Sequence, residues 1–312
     1  MSLVYTDHRE FADRMLGDAG KWDSILPGRI DTSDRMLIES LLKPDDILAA
    51  ESGRNPFGEA MFITAESERS QYDKMIGFLR DGISFGDGTV CLADCGSRFH
   101  GLRERPWSAL AGNIHLVVQF APNKKIEHYG VGFTILAAVS VVQAIDSIED
   151  LKGRAQTKWV NDIIVDGGKI CGVLTYTQAE GDIVTGGVIG IGLNVEATPE
   201  IEPTLFVPKA VSIRDLIGED QSVSQGKMFR DLLKCLKRNY DLLIAGDYRE
   251  LLDFYRSRSS ILGKMVQIYP DSPFDHSGEI VSGKVTGIGE NLELFLEGRE
   301  AAVTWGRLAF KS

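Results

Sequence analysis

The chain has 312 residues, 43% of them apolar, which is enough for about two domains with a real core. Lysine and arginine total 34 against 45 aspartates and glutamates, a formal net charge of −11, and so acidic a surface repels polyanions and argues against nucleic acid as a partner. The four cysteines, Cys91, Cys95, Cys171 and Cys235, lack both a common zinc-knuckle spacing and a histidine cluster, and read as free thiols in a reducing compartment.

Residues 1–60 form an N-terminal extension that the sequence leaves unassigned, with short helices expected at 8–15 and 34–41 and a turn-rich connection at 52–60. The opening MSLVYTDHREF has no basic-then-apolar signal pattern. From 61 the texture is α/β. A strand is expected at 61-MFITA-65, a helix at 70-SQYDKMIGFLR-80, a strand at 89-TVCLADC-95, and another at 113-NIHLVVQF-120, where Ile114, Leu116, Val118 and Phe120 share a face. The run 129–151 is apolar nearly all round and suits a core helix packed on a sheet. Its most hydrophobic part, 131–145, is too short to span a bilayer, so the expectation is a soluble cytoplasmic protein without membrane partners.

Next comes 157-TKWVNDIIVDGGKICGVL-174, and then a hairpin of 170–178 and 183–195 joined across 179–182. Residues 224–256 read as helical and 256–260 as a boundary. From 261 to 312, short strands separated by glycine turns have the pattern of a small β-barrel-like module.

Three clusters could carry chemistry. The segment 96-GSRFHGLRERPWSALAGN-113 places Arg98, Arg103, Arg105 and His100 within eight positions of an otherwise acidic chain. Guanidinium forks on a glycine-flanked loop can close over a phosphate, although a solvated loop with Trp107 as its plug has the same pattern. In the second cluster, Lys169 follows the hairpin-type turn 166-DGG-168 and is either a solvent-facing turn residue or one aimed at a ligand. Trp159 suits sheet packing, and Asn161 and Asp162 suit capping. Asp162 could instead hold Mg²⁺ beside a nucleotide, since that ion commonly takes one or two carboxylates plus phosphate oxygens. In the third cluster, 190-GIGLNV-195, the glycines Gly190 and Gly192 either admit a bulky ligand or belong to a plain core strand. Asn194 offers a donor and an acceptor, the pairing that reads an adenine edge. Neither a phosphate-binding G-x-x-x-x-G-K-[ST] loop nor a dinucleotide G-x-G-x-x-G fingerprint is present.

In order, W-S-A-L-A-G-N-I-H-L, K-W-V-N-D-I-I-V-D-G-G-K-I-C-G-V-L and G-G-V-I-G-I-G-L-N-V resemble the catalytic domain of biotin protein ligases, in the biotin/lipoate protein ligase family. The resemblance implies an α/β (α+β) catalytic domain at 61–256, a mixed β-sheet flanked by helices, followed at 261–312 by a small SH3-like β-barrel domain. It implies a two-step reaction, in which ATP and biotin give biotinyl-5′-AMP with Mg²⁺ and a lysine of a biotin carboxyl carrier domain then takes the biotin. Homodimers occur in such a family.

Carried residue by residue, Lys169 resembles the lysine placed by the carboxylate and α-phosphate. Arg103, Arg105 and Gly101 resemble parts of the adenylate-ordering loop anchored on Trp107. Asp162 resembles the residue on the metal–nucleotide side, Asn194 the adenine reader, Trp159 and Asn161 the motif supports, and Gly190 and Gly192 the ligand-facing glycines. The chain departs from the usual pattern at Phe99 and Glu104, where glycines are usual, and at His100 and Leu102, where arginines are usual. Val160 replaces the usual proline, and 67-SERS-70 stands at the usual D-S-T-N. Two other readings share the fold: a non-catalytic binding or regulatory protein, and a ligase for another acid such as lipoate.

Overall fold

The computed structural model describes residues 2–17, 21–24, 30–43, 47–218, 223–270 and 279–311. Its large sheet is built, in chain order, from β1 (Ser2–Thr6), β2 (Asp23–Ser24), β3 (Leu48–Ser52), β4 (Met61–Arg69), β5 (Thr89–His100), β6 (Pro106–Ala109), β7 (Ile114–Phe120), β8 (Lys124–Lys125), β9 (Ala155–Lys158), β10 (Asp162–Val165), β11 (Gly168–Glu180) and β12 (Ile183–Leu193). The strands run β2-β3-β1-β4-β5-β7-β12-β11-β10-β9, with β6 paired to β5 and β8 to β12. Pairing is parallel at β1–β4 and β4–β5 and antiparallel elsewhere, so the sheet is mixed as expected. The N-terminal residues are part of this sheet, because β1 pairs both with β3 and with β4.

The helices are α1 (Arg9–Leu16), α2 (Thr32–Leu41), α3 (Gln71–Arg80), α4 (Tyr129–Ile145), α5 (Ile213–Leu216), α6 (Gln225–Ala245) and α7 (Tyr248–Ser257). They divide between the faces of the sheet by apolar parity. Ile114, Leu116, Val118 and Phe120 of β7 join the large core with α1, α4, α6 and α7, while Val117 joins Tyr72, Met75, Ile76 and Leu79 of α3 on the other face. Helix α4 is buried nearly all round, which its continuous apolar sequence requires. The helical stretch expected at 224–256 is two helices. Gly246 takes a left-handed φ of 93° and caps α6, after which Asp247 starts α7. None of the described helices is long and apolar enough to cross a membrane.

One expectation is corrected. The C-terminal strands β13 (Met265–Tyr269), β14 (Val281–Ile288), β15 (Leu294–Leu296) and β16 (Arg307–Phe310) form an antiparallel sheet ordered β15-β14-β13-β16 that does not close into a barrel. Closure requires the two edge strands to meet with a consistent stagger. Here the edges are only three and four residues long, and β14 is irregular between Val285 and Gly287. Short strands between glycine turns carry the same sequence signature whether or not the sheet closes.

Asn113 ties the start of β7 to the end of β12. Its Oδ1 accepts from the backbone N–H groups of Val195 (2.8 Å), Glu196 (3.2 Å) and Ala197 (3.0 Å), and its Nδ2 donates to the Ala197 carbonyl (2.8 Å). Asn113→Ala removes the acceptor of the buried Val195 N–H and of the half-buried Ala197 N–H, while the Glu196 N–H keeps the Gly112 carbonyl, and is expected to cost about 2 kcal/mol. A fall in the urea midpoint with an unchanged m-value checks this.

Candidate active site

The α3 face of the sheet carries a transverse row of directly paired residues: Asp162 on β10, Gly172 on β11, Gly192 on β12, His115 on β7 and Ala93 on β5. Residues paired across neighbouring strands share a face, so these side chains all rise on one side. The adjacent row runs Leu174, Gly190, Val117 and Cys91. Gly172, Gly190 and Gly192 therefore leave a side-chain-free trough, bounded by Asp162 at one end and His115 at the other. Aromatic rings pack directly on its floor. A Cβ on Gly192 would stand 2.5 Å from a Trp107 ring carbon, and one on Gly190 would stand 3.0 Å from Tyr72. The cavity, open to solvent on one side, is about 270 Å³.

Lys169 reaches this face because of a bulge. Regular alternation on β11 would send residue 169 to the side opposite Gly172. The register with β10 shifts between Ile163 and Ile164, so that Ile163 pairs with Cys171 and Ile164 with Lys169. Consecutive Ile170 and Cys171 both enter the large core, and Lys169 emerges beside Gly172. The preceding turn has φ of 48° at Asp166 and 77° at Gly167, the two positive values of the expected hairpin turn. The Lys169 backbone is pinned as well: its N–H donates to the Lys209 carbonyl (2.9 Å), and its own carbonyl accepts from Val211 (3.0 Å). Its Nζ lies 2.6 Å from Asp162 Oδ1 and 5.7 Å from the centre of the Trp107 ring.

The arginine-rich segment is the tip of the β5–β6 hairpin. Phe99 pairs with Trp107 and His100 with Pro106, and the Gly101 N–H donates to the Arg105 carbonyl (2.6 Å). Arg105 and Gly101 line the pocket, and Arg105 Nε donates to the Leu102 carbonyl (2.7 Å). Arg103, left-handed at φ 57°, is exposed and is not among the pocket-lining residues. His100 lines the pocket but turns to α3, its Nε2 standing 2.8 Å from Asp73 Oδ1 while its Nδ1 bonds to the Gly101 carbonyl at 3.0 Å.

Burial alone would lower the His100 pKa, but the Gly101 carbonyl and the Asp73 carboxylate override it and hold the value above the ordinary one. A group whose folded pKa is raised stabilises the protein below its unfolded pKa, about 6.5 for histidine, and that contribution fades as pH rises through the folded value. Asp73→Asn is expected to remove this acid-side gain, so that the Tm difference between wild type and variant shrinks on going from about pH 6 to about pH 8.5.

The other expected residues divide into pocket and support. Asn161 lines the pocket, donating from Nδ2 to the Val173 carbonyl (2.7 Å) and accepting from Val173 N–H at its own carbonyl (2.9 Å). Asn194 also lines it, almost fully buried. Its Nδ2 donates to the Val211 carbonyl (3.0 Å), and Oδ1 has no partner among the described residues, which leaves an acceptor alone facing any base edge. Trp159 lies outside the pocket and anchors the C-terminal sheet, its Nε1 donating to the Leu292 carbonyl (2.7 Å).

The sequence reading missed two residues that line the pocket and a buried lysine beside Asp162. Lys158, paired with Asp162 across β9 and β10, is nearly buried, and its Nζ bonds to the Phe206 carbonyl. Burial pushes its pKa down, against the pull of Asp162. Arg307 of β16 lines the pocket with its guanidinium 3.7 Å from the centre of the Phe206 ring. His115 is the third. Lys158 stood inside the quoted motif, whereas Arg307 arrives from a separate sheet and left no local signal.

Together, Lys169, Arg105 and Arg307 make a local positive field in an acidic chain, suited to an anionic ligand beside an uncharged trough. Among the described residues no three histidine, cysteine or carboxylate groups gather, and the pocket is lined by two carboxylates, Asp162 beside Lys169 and Glu202, so a Mg²⁺ held there would take its other ligands from phosphate oxygens. The unpartnered Asn194 Oδ1 fits an amino donor such as that of adenine.

The family model for the biotin/lipoate A/B protein ligase family matches residues 90–194, the strands that build this pocket. The bifunctional ligase/repressor BirA of Bacillus subtilis (strain 168) is 32% identical over 155 residues, 49% of this chain and 46% of that protein, so the chain spans about half of that relative's length. The biotin--[acetyl-CoA-carboxylase] ligase of Mycobacterium tuberculosis is 28% identical over 233 residues, 70% of this chain and 78% of that one. In fold, the chain is similar to the biotin protein ligase of Aquifex aeolicus in complex with biotin and ATP, with a TM-score of 0.60 at 18% identity, covering 80% of this chain and 98% of the other. Residues 90–194 thus match the biotin/lipoate A/B protein ligase family model, and the chain is similar there in sequence, and over most of its length in fold, to biotin protein ligases.

Proposed function

We propose that the protein is a biotin protein ligase, joining biotin to AMP from ATP and passing it to a lysine of a biotin carboxyl carrier domain. The observation that carries this is Lys169, turned by the β11 bulge into the glycine trough and held 2.6 Å from Asp162. In the first step a carboxylate oxygen of biotin attacks the α-phosphorus of ATP and pyrophosphate leaves. In the second, a neutral amine of the carrier attacks the carbonyl of the mixed anhydride, AMP leaves and a proton is released. Negative charge grows on α-phosphate oxygens in the first step, and the fixed ammonium of Lys169 stabilises it without having to reorganise. Arg105 and Arg307 at the rim attract and orient the phosphates, and the trough aligns the acid for in-line attack. Mg²⁺, when bound, supplies further charge neutralisation, and Asp162 is the residue that would hold it.

In this reading residues 61–256 are the catalytic domain, residues 1–60 extend its sheet, and residues 261–312 contribute Arg307. Four free cysteines, two of them deeply buried with burial raising their pKa, suit a reducing cytoplasm. A second reading, a protein that binds the acid and nucleotide without transfer, draws on the loop: Leu102 brings no charge to the rim and His100 is committed to Asp73. Incubation with ATP, Mg²⁺, biotin and a biotin carboxyl carrier domain separates the two. Pyrophosphate release with a mass gain on the carrier lysine supports the ligase. Retention of the adenylate without that gain supports the binding protein, and release with lipoate but not biotin changes the substrate.

A further inference from the structure

We propose that His115 reads the end of the acid remote from its carboxylate, its Nε2 accepting a hydrogen bond from an N–H or O–H group there. This rests on the reading of the pocket as an acid-activating site and adds what selects the acid. His115 and Asp162 lie on one transverse row with Gly172 and Gly192 between them, the Trp107 ring packed on Gly192. Three interstrand steps separate the two, roughly 14 Å at about 4.8 Å per step. A ligand lying along the row with its carboxylate at Lys169, the edge-strand Trp107 ring lifted off Gly192 to admit it, therefore brings its far end to the imidazole.

That imidazole is prepared as an acceptor. It is 3% exposed and lines the pocket. Its Nδ1 stands 3.1 Å from the Asp94 carbonyl and 3.3 Å from the Ala93 carbonyl. Both of those oxygens can only accept, so Nδ1 carries the proton and Nε2 presents a lone pair. Nε2 is buried with no hydrogen-bond partner among the described residues. Burial also pushes the ring's pKa down to about 4, against the pull of those two carbonyls, which keeps Nε2 unprotonated at neutral pH. Phe99 packs edge-on at 5.4 Å and excludes water from the same corner. A buried acceptor without a partner favours a ligand that brings a donor and discriminates against one that ends in hydrocarbon. The class selected is a carboxylic acid with a donor-bearing head such as a cyclic urea, over a straight-chain fatty acid.

The test compares two variants by calorimetric titration of the full-length protein with biotin and, separately, with octanoate. His115→Asn keeps a donor near the position of Nδ1 and removes the distal acceptor, whereas His115→Gln keeps an acceptor near the position of Nε2. The Asn variant is expected to lose about 10- to 100-fold in biotin affinity, and the Gln variant less than about fivefold. Both should hold octanoate affinity within about twofold of wild type. Equal losses for both acids, or biotin binding that neither substitution changes, overturn the role of His115 while leaving the ligase reading intact. A wild-type protein that binds neither acid overturns both.

Discussion

Lys169→Ala is expected to lower ATP-dependent pyrophosphate release by about 10²- to 10³-fold, the usual consequence of removing one preorganised charge from a transition state. The neighbouring cations are engaged elsewhere, Arg307 with its guanidinium over the Phe206 ring. Arg105 Nε is held by the Leu102 carbonyl, and Lys158 is turned to the Phe206 carbonyl. The fold should survive. Lys169 and Asp162 keep 23% and 20% of their side-chain surface exposed, so Asp162 can be hydrated once its partner is gone, and Tm should fall by no more than about 3 °C. Lys169→Arg restores charge without restoring geometry, since a planar fork replaces a compact ammonium between Asp162 and the Trp107 ring. It should recover only part of the rate. Release by the alanine variant at the wild-type rate, with its folding intact, would remove Lys169 from the chemistry.

Whether Lys169 points inward was only half legible in the sequence. The turn at 166–168 and the strands around it could be read from glycine placement and apolar runs, but the face taken by residue 169 depends on a single register shift. A trace of that shift was present: Ile170 and Cys171 are consecutive apolar residues where strict alternation would allow one. The face of β7 formed by Ile114, Leu116, Val118 and Phe120 was equally legible, and it concealed the opposite face, where His115 closes the trough.

Other features depend on contacts too distant for any local pattern. Strand β1 pairs with residues about fifty positions away and offers five residues on which to read alternation. The open C-terminal sheet and the passage of its Arg307 into the pocket are settled by how two separate sheets meet. The arginine-rich segment kept its composition but not its expected convergence. Arg105 lines the pocket, Arg103 is left-handed and exposed and does not line it, and His100 is drawn to an aspartate on α3.

The glycine floor gives the second large effect. Gly192→Val would place a Cβ 2.5 Å from one Trp107 ring carbon and 2.8 Å from its Nε1, with two methyl groups beyond. The two sides of this clash are unequal. Gly192, near the end of β12, is paired on one side with β11 and on the other with β7, and cannot move without disturbing both ladders. Trp107 stands on the edge strand β6 near the hairpin tip, half-buried, with no hydrogen-bond partner for its Nε1 among the described residues. The ring therefore yields. Valine is favourable in a strand and the sheet should keep its stability to within about 1 kcal/mol, while Trp107 lifts and the two methyl groups fill the middle of the row between Asp162 and His115. An acid lying along that row meets the new side chain, so biotin affinity should fall more than about 100-fold, with a red shift in Trp107 emission measured against Trp107→Phe as the blank. Biotin binding within about threefold of wild type in a folded Gly192→Val protein would place the acid somewhere other than this trough.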